Sequence, residues 1–198
     1  MNSTEALNLF VSTAEALPNK DRAEAVAAFI TLEKMHTKKQ NRINNIEQKL
    51  KELQLGTAKD VVAKEWQKLV KLRWADENGI CTCVTSGERF RIGDMKLHAG
   101  HYWSRRHSTT LFHPMNCHPQ SAYDNKAGGN IAKYTEYMEA TYTREELIRL
   151  ERLKNTTKQF TRRALAELKV AFFDGQKREL KRIEEGRPST WAWYGQPE

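Results

Sequence analysis

The sequence predicts a mainly α-helical fold with a small α+β centre, and the distribution of glycine, proline and histidine is the main reason. Residues 1–55 contain no glycine and only one proline, Pro18. Residues 78–129 contain six glycines and two prolines, and five of the six histidines fall within residues 98–118. We therefore expect an N-terminal helical arm over residues 1–56, a central domain over 57–140, and basic helices with an aromatic tail over 141–198.

The N-terminal arm is predicted to hold a short helix followed by a long one. Ser3 and Thr4 can cap the short helix, and after a break at residues 17–19 nothing interrupts the helical pattern from residue 21 to about 53. Apolar residues of the long helix repeat at the 3-4-3 spacing of a coiled-coil seam: Ile43, Ile46, Leu50 and Leu53. This seam predicts either a homodimer or a helix that packs against its own domain.

In the central domain the pattern changes from helix to short strands. Gly56 ends the arm, and residues 57–60 can cap a helix over residues 61–74. Residues 89–92 and 96–102 are predicted to form a β-hairpin joined by a turn at residues 93–94.

The C-terminal part returns to helices. One is expected over residues 130–140, a capping box at residues 143–146 opens the next, and residues 156–159 open a third. The predicted buried stripe consists of Leu147, Leu150, Leu165, Leu168, Phe172, Leu180 and Ile183. Residues 144–187 hold 13 basic and 8 acidic side chains, which fits a solvated helix face as well as a DNA contact. Trp191, Trp193 and Tyr194 are expected to pack back or to meet a partner.

Composition and charge exclude several classes of protein. The 198 residues are 39% hydrophobic, with no stretch suited to a transmembrane helix and no signal-peptide pattern, so we expect a cytoplasmic protein without a membrane partner. Three cysteines, Cys81, Cys83 and Cys117, are too few for a disulfide scaffold. The net charge of +8 favours a nucleic-acid partner through neutralisation of phosphates, the alternative being a protein that is merely basic.

Four polar residues of the central domain have the types and order of a compact metal site. His98 and His101 lie at the end of a predicted strand, Asn116 lies in a loop, and Asn125 lies near the start of a helix. Cleavage of a phosphodiester needs a Lewis acid for the developing charge and a base that ionises near neutral pH. The alternative for a histidine-rich loop is a set of polar surface residues.

The same segment resembles the phage NinG family, also called Rap, of recombination nucleases with an HNH-like core. The similarity covers about residues 64–137 and rests on Cys83-Val-Thr-Ser-Gly87, His98-Ala-Gly-His-Tyr102, Asn116-Cys-His-Pro-Gln120, and Asn125 followed by Gly129-Asn130 and Tyr134. It implies a ββα-metal core, a degenerate treble clef, in a phage-encoded enzyme of the bacterial cytoplasm that cleaves branched DNA such as Holliday junctions.

The resemblance also implies roles for individual residues. His101 takes the place of the general base, and Asn116 that of the asparagine which ties the loop and orients the base. Asn125 matches a metal ligand, and His98 stands where the family has a second ligand, Asp. Because imidazole suits softer ions, the expected cofactor is one divalent cation, Mg²⁺ or Mn²⁺ or a softer ion.

Three of the four positions in the family pattern of paired cysteines are not cysteine. The pairs become Cys83-x-x-Ser86 and Ser121-x-x-Asp124, a poor ligand set for zinc, so we expect no structural zinc. Hydrogen bonds and packing should replace it, with the participation of Phe90, Ile92, Leu97 and Tyr123.

Further candidates surround this constellation. Arg105, Arg106 and Lys126 are expected to contact DNA phosphates. His118 is a candidate spare ligand or a partner of a metal ligand. The sequence thus predicts an endonuclease, with an inactive DNA-binding or protein-interaction module as the alternative.

Overall fold

The computed structural model describes residues 19–190 of the chain, and the predictions for residues 3, 4, 17 and 18 and for the aromatic tail from residue 191 lie outside them. The described part is mostly helical, with two small antiparallel sheets, as predicted. Its elements are α1 (Asn19–Lys51), α2 (Leu55–Trp74), β1 (Ile80–Thr82), β2 (Arg89–Arg91), β3 (Leu97–His101), a 3₁₀ turn (Pro114–Asn116), β4 (Cys117–Ser121), α3 (Ala122–Lys126), α4 (Ile131–Thr141), α5 (Arg144–Lys154) and α6 (Arg162–Glu184).

The main core forms where α1 and α2 pack against α6. Trp66 of α2 and Phe172 of α6 are buried, with ring centroids 5.1 Å apart. Ile43 and Leu50 of the predicted seam are also buried in this core, and the other two seam residues pack against it. The seam therefore packs within the chain, the second of its two predicted alternatives, and a homodimer would need another surface.

Arginines of α6 cap the carboxyl ends of the other two long helices. Arg162 donates from Nε and Nη2 to the carbonyl oxygens of Leu50 and Leu53, at 2.9 and 2.6 Å. The buried Arg182 donates to the carbonyl oxygens of Leu72 and Ala75, at 3.0 and 2.8 Å. Carbonyl groups at the end of a helix lack the helical N–H partners of the interior, so part of the positive charge of the C-terminal region stabilises the fold.

The strand pairing differs from the predicted hairpin. β2 pairs with β1, Phe90 lying opposite Cys81, and β3 pairs with β4, His98 lying opposite Gln120. The prediction that residues 89–92 pair with residues 96–102 was wrong. The segment between these strands contains only turns, and each strand finds its partner on its other side in the sequence.

Several helix boundaries agree with the prediction, since α2 ends at Trp74 as expected and α4, Ile131–Thr141, lies within one residue of the expected 130–140. The capping box is confirmed, since the amide of Glu146 donates to Thr143 Oγ1 and the amide of Thr143 donates to Glu146 Oε2. Two other starts were wrong: α2 begins at Leu55 rather than at residue 61, and α6 begins only after Thr161, which caps it. In the predicted stripe Leu180 is 44% exposed, because it lies on the outer face of α6.

None of the helices between residues 19 and 190 combines the length and the apolar character needed to cross a bilayer.

Candidate functional site

The order β3, loop, β4 and α3 brings His98 and Asn125 together. The Asn125 side chain donates from Nδ2 to Nδ1 of His98 at 3.0 Å. Ser121 Oγ caps α3 by accepting from the amide of Asp124 at 3.1 Å, which fixes the helix on which Asn125 lies. Turning the Asn125 amide over would present Oδ1 beside the same ring nitrogen, so the pair can offer one oxygen and one nitrogen ligand to a cation.

This pair lines a cleft of about 360 Å³ between β3 and one face of α2. The pKa of His98 lies below its ordinary value, because burial and the positive charges of Lys126 and Lys71 disfavour the imidazolium. His98 is therefore neutral at pH 7 and has a lone pair for a ligand. Among the described residues that line the cleft, Glu65 carries the only carboxylate, which accepts from Lys68 at 3.2 Å and from Gln176 at 3.2 Å.

His101 lies on the other face of β3. Side chains alternate along a strand, so residues three apart point to opposite faces, and His101 does not line the cleft. Its Nε2 donates to the carbonyl oxygen of Leu111 at 3.0 Å, which leaves Nδ1 to accept from Cys117 Sγ at 3.8 Å. Burial lowers the pKa of His101 to about 4, the bond to Leu111 opposes this shift, and Arg105 adds to it. The prediction placed the two histidines in one site, whereas in the structure they lie on opposite faces of β3.

Asn116 is fully buried and holds the loop that joins β3 to β4. Its Oδ1 accepts from the amide of Trp103 at 2.7 Å. Its Nδ2 donates to the carbonyl oxygens of Trp103 and Thr110, at 3.1 and 3.0 Å. One side chain thus satisfies three backbone groups of a loop that has no regular structure between residues 102 and 113.

The same loop is attached to the end of α5 by contacts that the sequence does not reveal. His107 Nδ1 bonds the carbonyl oxygen of Lys154 at 3.1 Å, and Thr109 Oγ1 donates to that of Leu153 at 2.5 Å. The ammonium of Lys154 lies 3.6 Å from the centroid of the Trp103 ring. The loop is therefore held at its base by Asn116 and along its length by α5.

His118 is a buried structural residue in this fold. Its Nδ1 bonds the hydroxyl of Tyr134 at 2.9 Å, and its Nε2 bonds that of Tyr142 at 2.8 Å. Tyr134 in turn donates to the carbonyl oxygen of Gly100 at 3.0 Å. Burial, with a smaller effect of His101, lowers the pKa of His118 to about 3. Because both ring nitrogens are engaged, His118 could bind a metal only by losing a bond to a tyrosine.

The predicted DNA contacts are placed in different surroundings. Arg105 forms an ion pair of 2.7 Å with Asp60 of α2, in which both side chains are largely exposed. Arg106 is exposed on the loop, and Lys126 is exposed at the end of α3 beside Asn125. Of the three cations, Lys126 is the one whose charge lowers the pKa of the cleft histidine, His98.

The four positions of the paired-cysteine pattern do come together, as a hydrogen-bonded cluster. Cys83 Sγ accepts from the amides of Ser121 and Ser86, at 3.1 and 3.4 Å. Thr85 Oγ1 donates to Asp124 Oδ2 at 2.7 Å. Burial alone would raise the pKa of Cys83, but the hydrogen bonds from Ser86 and Thr85 outweigh it and lower the pKa. This cluster connects the loop after β1 to the end of β4.

Packing beside this cluster agrees with the prediction except at one residue. Phe90 and Leu97 are buried there, and Ile92 packs against them. Tyr123 is 83% exposed, so its predicted part in the packing was wrong. It lies in the first turn of α3 on the side that faces solvent. Within residues 19–190 no group of three or more His, Cys, Asp and Glu side chains is arranged to hold a metal ion.

The cleft also contains side chains that the sequence analysis did not select. Lys64, Lys68 and Lys71 of α2 line it together with Gln67. Their spacing of four and three residues was visible in the sequence, but it became informative only when β3 was found against that face of α2.

Comparison with known proteins identifies the family. The family described as Bacteriophage Lambda NinG protein matches residues 9–184, which is most of the chain. No curated protein and no solved structure matches the chain. The chain therefore belongs to the NinG family of bacteriophage proteins, a family related to phage recombination.

Proposed function

We propose that this protein is a metal-dependent endonuclease that cleaves branched DNA, such as Holliday junctions, during phage recombination in the host cytoplasm. The observation that carries the proposal is the His98–Asn125 pair, 3.0 Å apart, in a cleft bordered by lysines. The two residues lie on a strand and on the helix that follows the next strand, the order expected from the resemblance. Membership of the NinG family supports a role in recombination.

In this proposal His98 Nδ1 and Asn125 Oδ1 hold one divalent cation. Such an ion would stabilise the negative charge that develops on the phosphate. Both ligands are neutral, so the DNA phosphate has to supply negative charge, and the imidazole favours Mn²⁺ or a softer ion as much as Mg²⁺. With only these two protein ligands, the cation would take its remaining positions from phosphate and water.

His101 is proposed as the general base, with Nδ1 as the atom that takes the proton. In its buried position the pKa of about 4 keeps His101 neutral at pH 7, and the bond to Leu111 leaves Nδ1 unprotonated; both conditions apply before the ring moves. Asn116 supports this role by holding the loop that carries Leu111. To reach a water molecule on the cleft side, the His101 ring has to leave the carbonyl oxygen of Leu111.

The second candidate function is a DNA-binding or protein-interaction module without catalysis. Two features favour it: His101 lies on the face of β3 opposite the cleft, and Glu65, the carboxylate in the cleft, is already paired. Both readings predict DNA binding that weakens with salt, but only the first predicts metal-dependent cleavage.

The experiment is a cleavage assay on a labelled four-way junction beside a linear duplex, with Mg²⁺, Mn²⁺ or EDTA. The variants are His98→Ala, His101→Ala and, as control, His36→Ala, a histidine exposed on α1. We expect cleavage to need metal and to fall by about 10²–10⁴-fold in His101→Ala, with DNA binding nearly unchanged. His98→Ala should raise the metal concentration needed, and the control should cut normally.

Three outcomes decide between the candidates. Metal-dependent cuts that vanish in His101→Ala would support the endonuclease, and a preference for the junction would support the branched substrate. Loss of binding together with cleavage in His101→Ala would mean that the residue is structural. Folded wild-type protein that binds DNA but does not cut it in the presence of any metal tested would favour the second candidate.

A further inference from the structure

One face of α2 presents a row of lysines beside the His98–Asn125 pair. Lys64, Lys68 and Lys71 follow one another at four and three residues, the spacing that places side chains on the same side of a helix, and all three line the cleft. Lys64 and Lys68 are exposed, and Lys71 also donates to the carbonyl oxygen of Leu97 at 3.4 Å. The row therefore runs along the cleft and ends next to the strand that carries His98.

The cleft has an excess of positive charge. Among the described residues that line it, the three lysines oppose a single carboxylate, Glu65, whose side chain is only 12% exposed. That carboxylate accepts hydrogen bonds from Lys68 and from Gln176, so its negative charge is partly compensated within the protein. A cleft of this charge attracts an anion before it attracts a cation.

We propose that Lys64, Lys68 and Lys71 bind successive phosphates of one DNA strand and guide it to the His98–Asn125 pair. From Lys64 to Lys71 the helix rises by about 10 Å, at 1.5 Å per residue. Phosphates of one B-DNA strand rise by about 3.4 Å along the axis and lie farther apart through space because the strand winds round it, so the row can contact about two of them. The inference rests on the proposed function in that DNA is the partner, but it requires no cleavage.

The test compares two double variants in DNA binding measured by fluorescence anisotropy in EDTA. The first is Lys64→Ala with Lys68→Ala. The matched control is Lys49→Ala with Lys51→Ala, two exposed lysines of α1, of which Lys51 pairs with a glutamate on its own helix as Lys68 does. Alanine preserves helicity at all four positions, which circular dichroism would verify.

We expect the α2 variant to bind a four-way junction or a duplex roughly tenfold more weakly, because charged hydrogen bonds to phosphate are lost. Its plot of log affinity against log salt concentration should be shallower by about 2, since about 0.9 of a counterion is released per phosphate contact. The control should keep the wild-type slope. An equal loss in both variants, or no loss in the α2 variant, would overturn the proposal.

The failure of this inference can be distinguished from that of the proposed function. If the wild type cuts nothing with any metal but the α2 variant binds DNA more weakly than its control, the lysine row stands and the endonuclease fails. If the wild type cuts junctions and the α2 variant binds and cuts them equally well, the endonuclease stands and the lysine row fails.

Discussion

Replacing Asn116 by alanine should destabilise the protein by about 2 kcal/mol. The substitution removes the bonds that the N–H and C=O of Trp103 make to Asn116, whereas the C=O of Thr110 keeps its bond from the amide of His113 at 3.1 Å. Asn116 has no exposed surface, so water cannot easily take the place of its side chain. Each buried backbone group left unpaired costs roughly 1 kcal/mol or more, and two such groups give the total.

Asn116→Asp separates hydrogen bonding from side-chain size. The aspartate still accepts from the amide of Trp103, but an oxygen replaces the nitrogen that donates to two carbonyl groups. We expect a loss of stability at pH 7 at least as large as that of the alanine variant, partly relieved in acid when the carboxyl group is protonated. The control is Asn45→Ala, an exposed asparagine of α1, which should change the unfolding free energy by less than about 0.5 kcal/mol.

The assay is urea unfolding followed by circular dichroism, together with hydrogen exchange of the Trp103 amide. In the alanine variant that amide should exchange faster even under conditions that keep the protein folded, because the loop opens locally. A stability loss below about 1 kcal/mol with unchanged exchange would show that Asn116 does not hold the loop, and the argument from its three bonds would be refuted.

Two further predictions concern buried cations and histidines. Arg182→Ala should lower the free energy of unfolding in urea by about 3 kcal/mol, because it leaves the carboxyl end of α2 uncapped and removes the ion pair with Glu179. The control Arg178→Ala, on the exposed side of α6, should cost little, and equal effects would contradict the capping role. Stability should also fall as the pH is lowered from 6.5 to about 4, because the pKa values of His118 and His101 in the folded protein lie below the ordinary 6.5. Below pH 6.5 the unfolded chain binds protons that the folded protein does not, which costs about 1.4 kcal/mol per histidine and pH unit. An unfolding free energy that stays constant from pH 7.5 to 5 would be inconsistent with two buried neutral histidines.

The sequence predicts those parts of this fold that depend on neighbouring residues. The capping box of α5 and the long uninterrupted α1 are local signals, and both are present. The pairing of β3 with β4 could not be predicted in this way, because it joins strands separated by a loop of 15 residues, from Tyr102 to Asn116, whose closure depends on a buried side chain.

The charge of the C-terminal region shows a second limit. Arg162 and Arg182 contribute to its basic composition, but their donors are used on the ends of α1 and α2. Counting charges along the sequence cannot separate such arginines from those free to meet phosphate. The lysines of α2 present the reverse case: their spacing was visible in the sequence, but their position beside His98 was not, because it depends on how β3 packs against α2.

The separation of His98 and His101 on β3 places a definite requirement on the proposed catalysis. For His101 to act, its ring must leave the carbonyl oxygen of the buried Leu111, and a buried group left unpaired costs roughly 1–3 kcal/mol, to which the movement of the ring away from its own face of β3 adds. The same movement would take the ring out of the buried position that lowers its pKa to about 4. Its pKa would then return towards 6.5, the range in which a general base works best near neutral pH. The movement that exposes the base would thus also give it the basicity it needs, and DNA bound along the lysines of α2 would be the event that favours it.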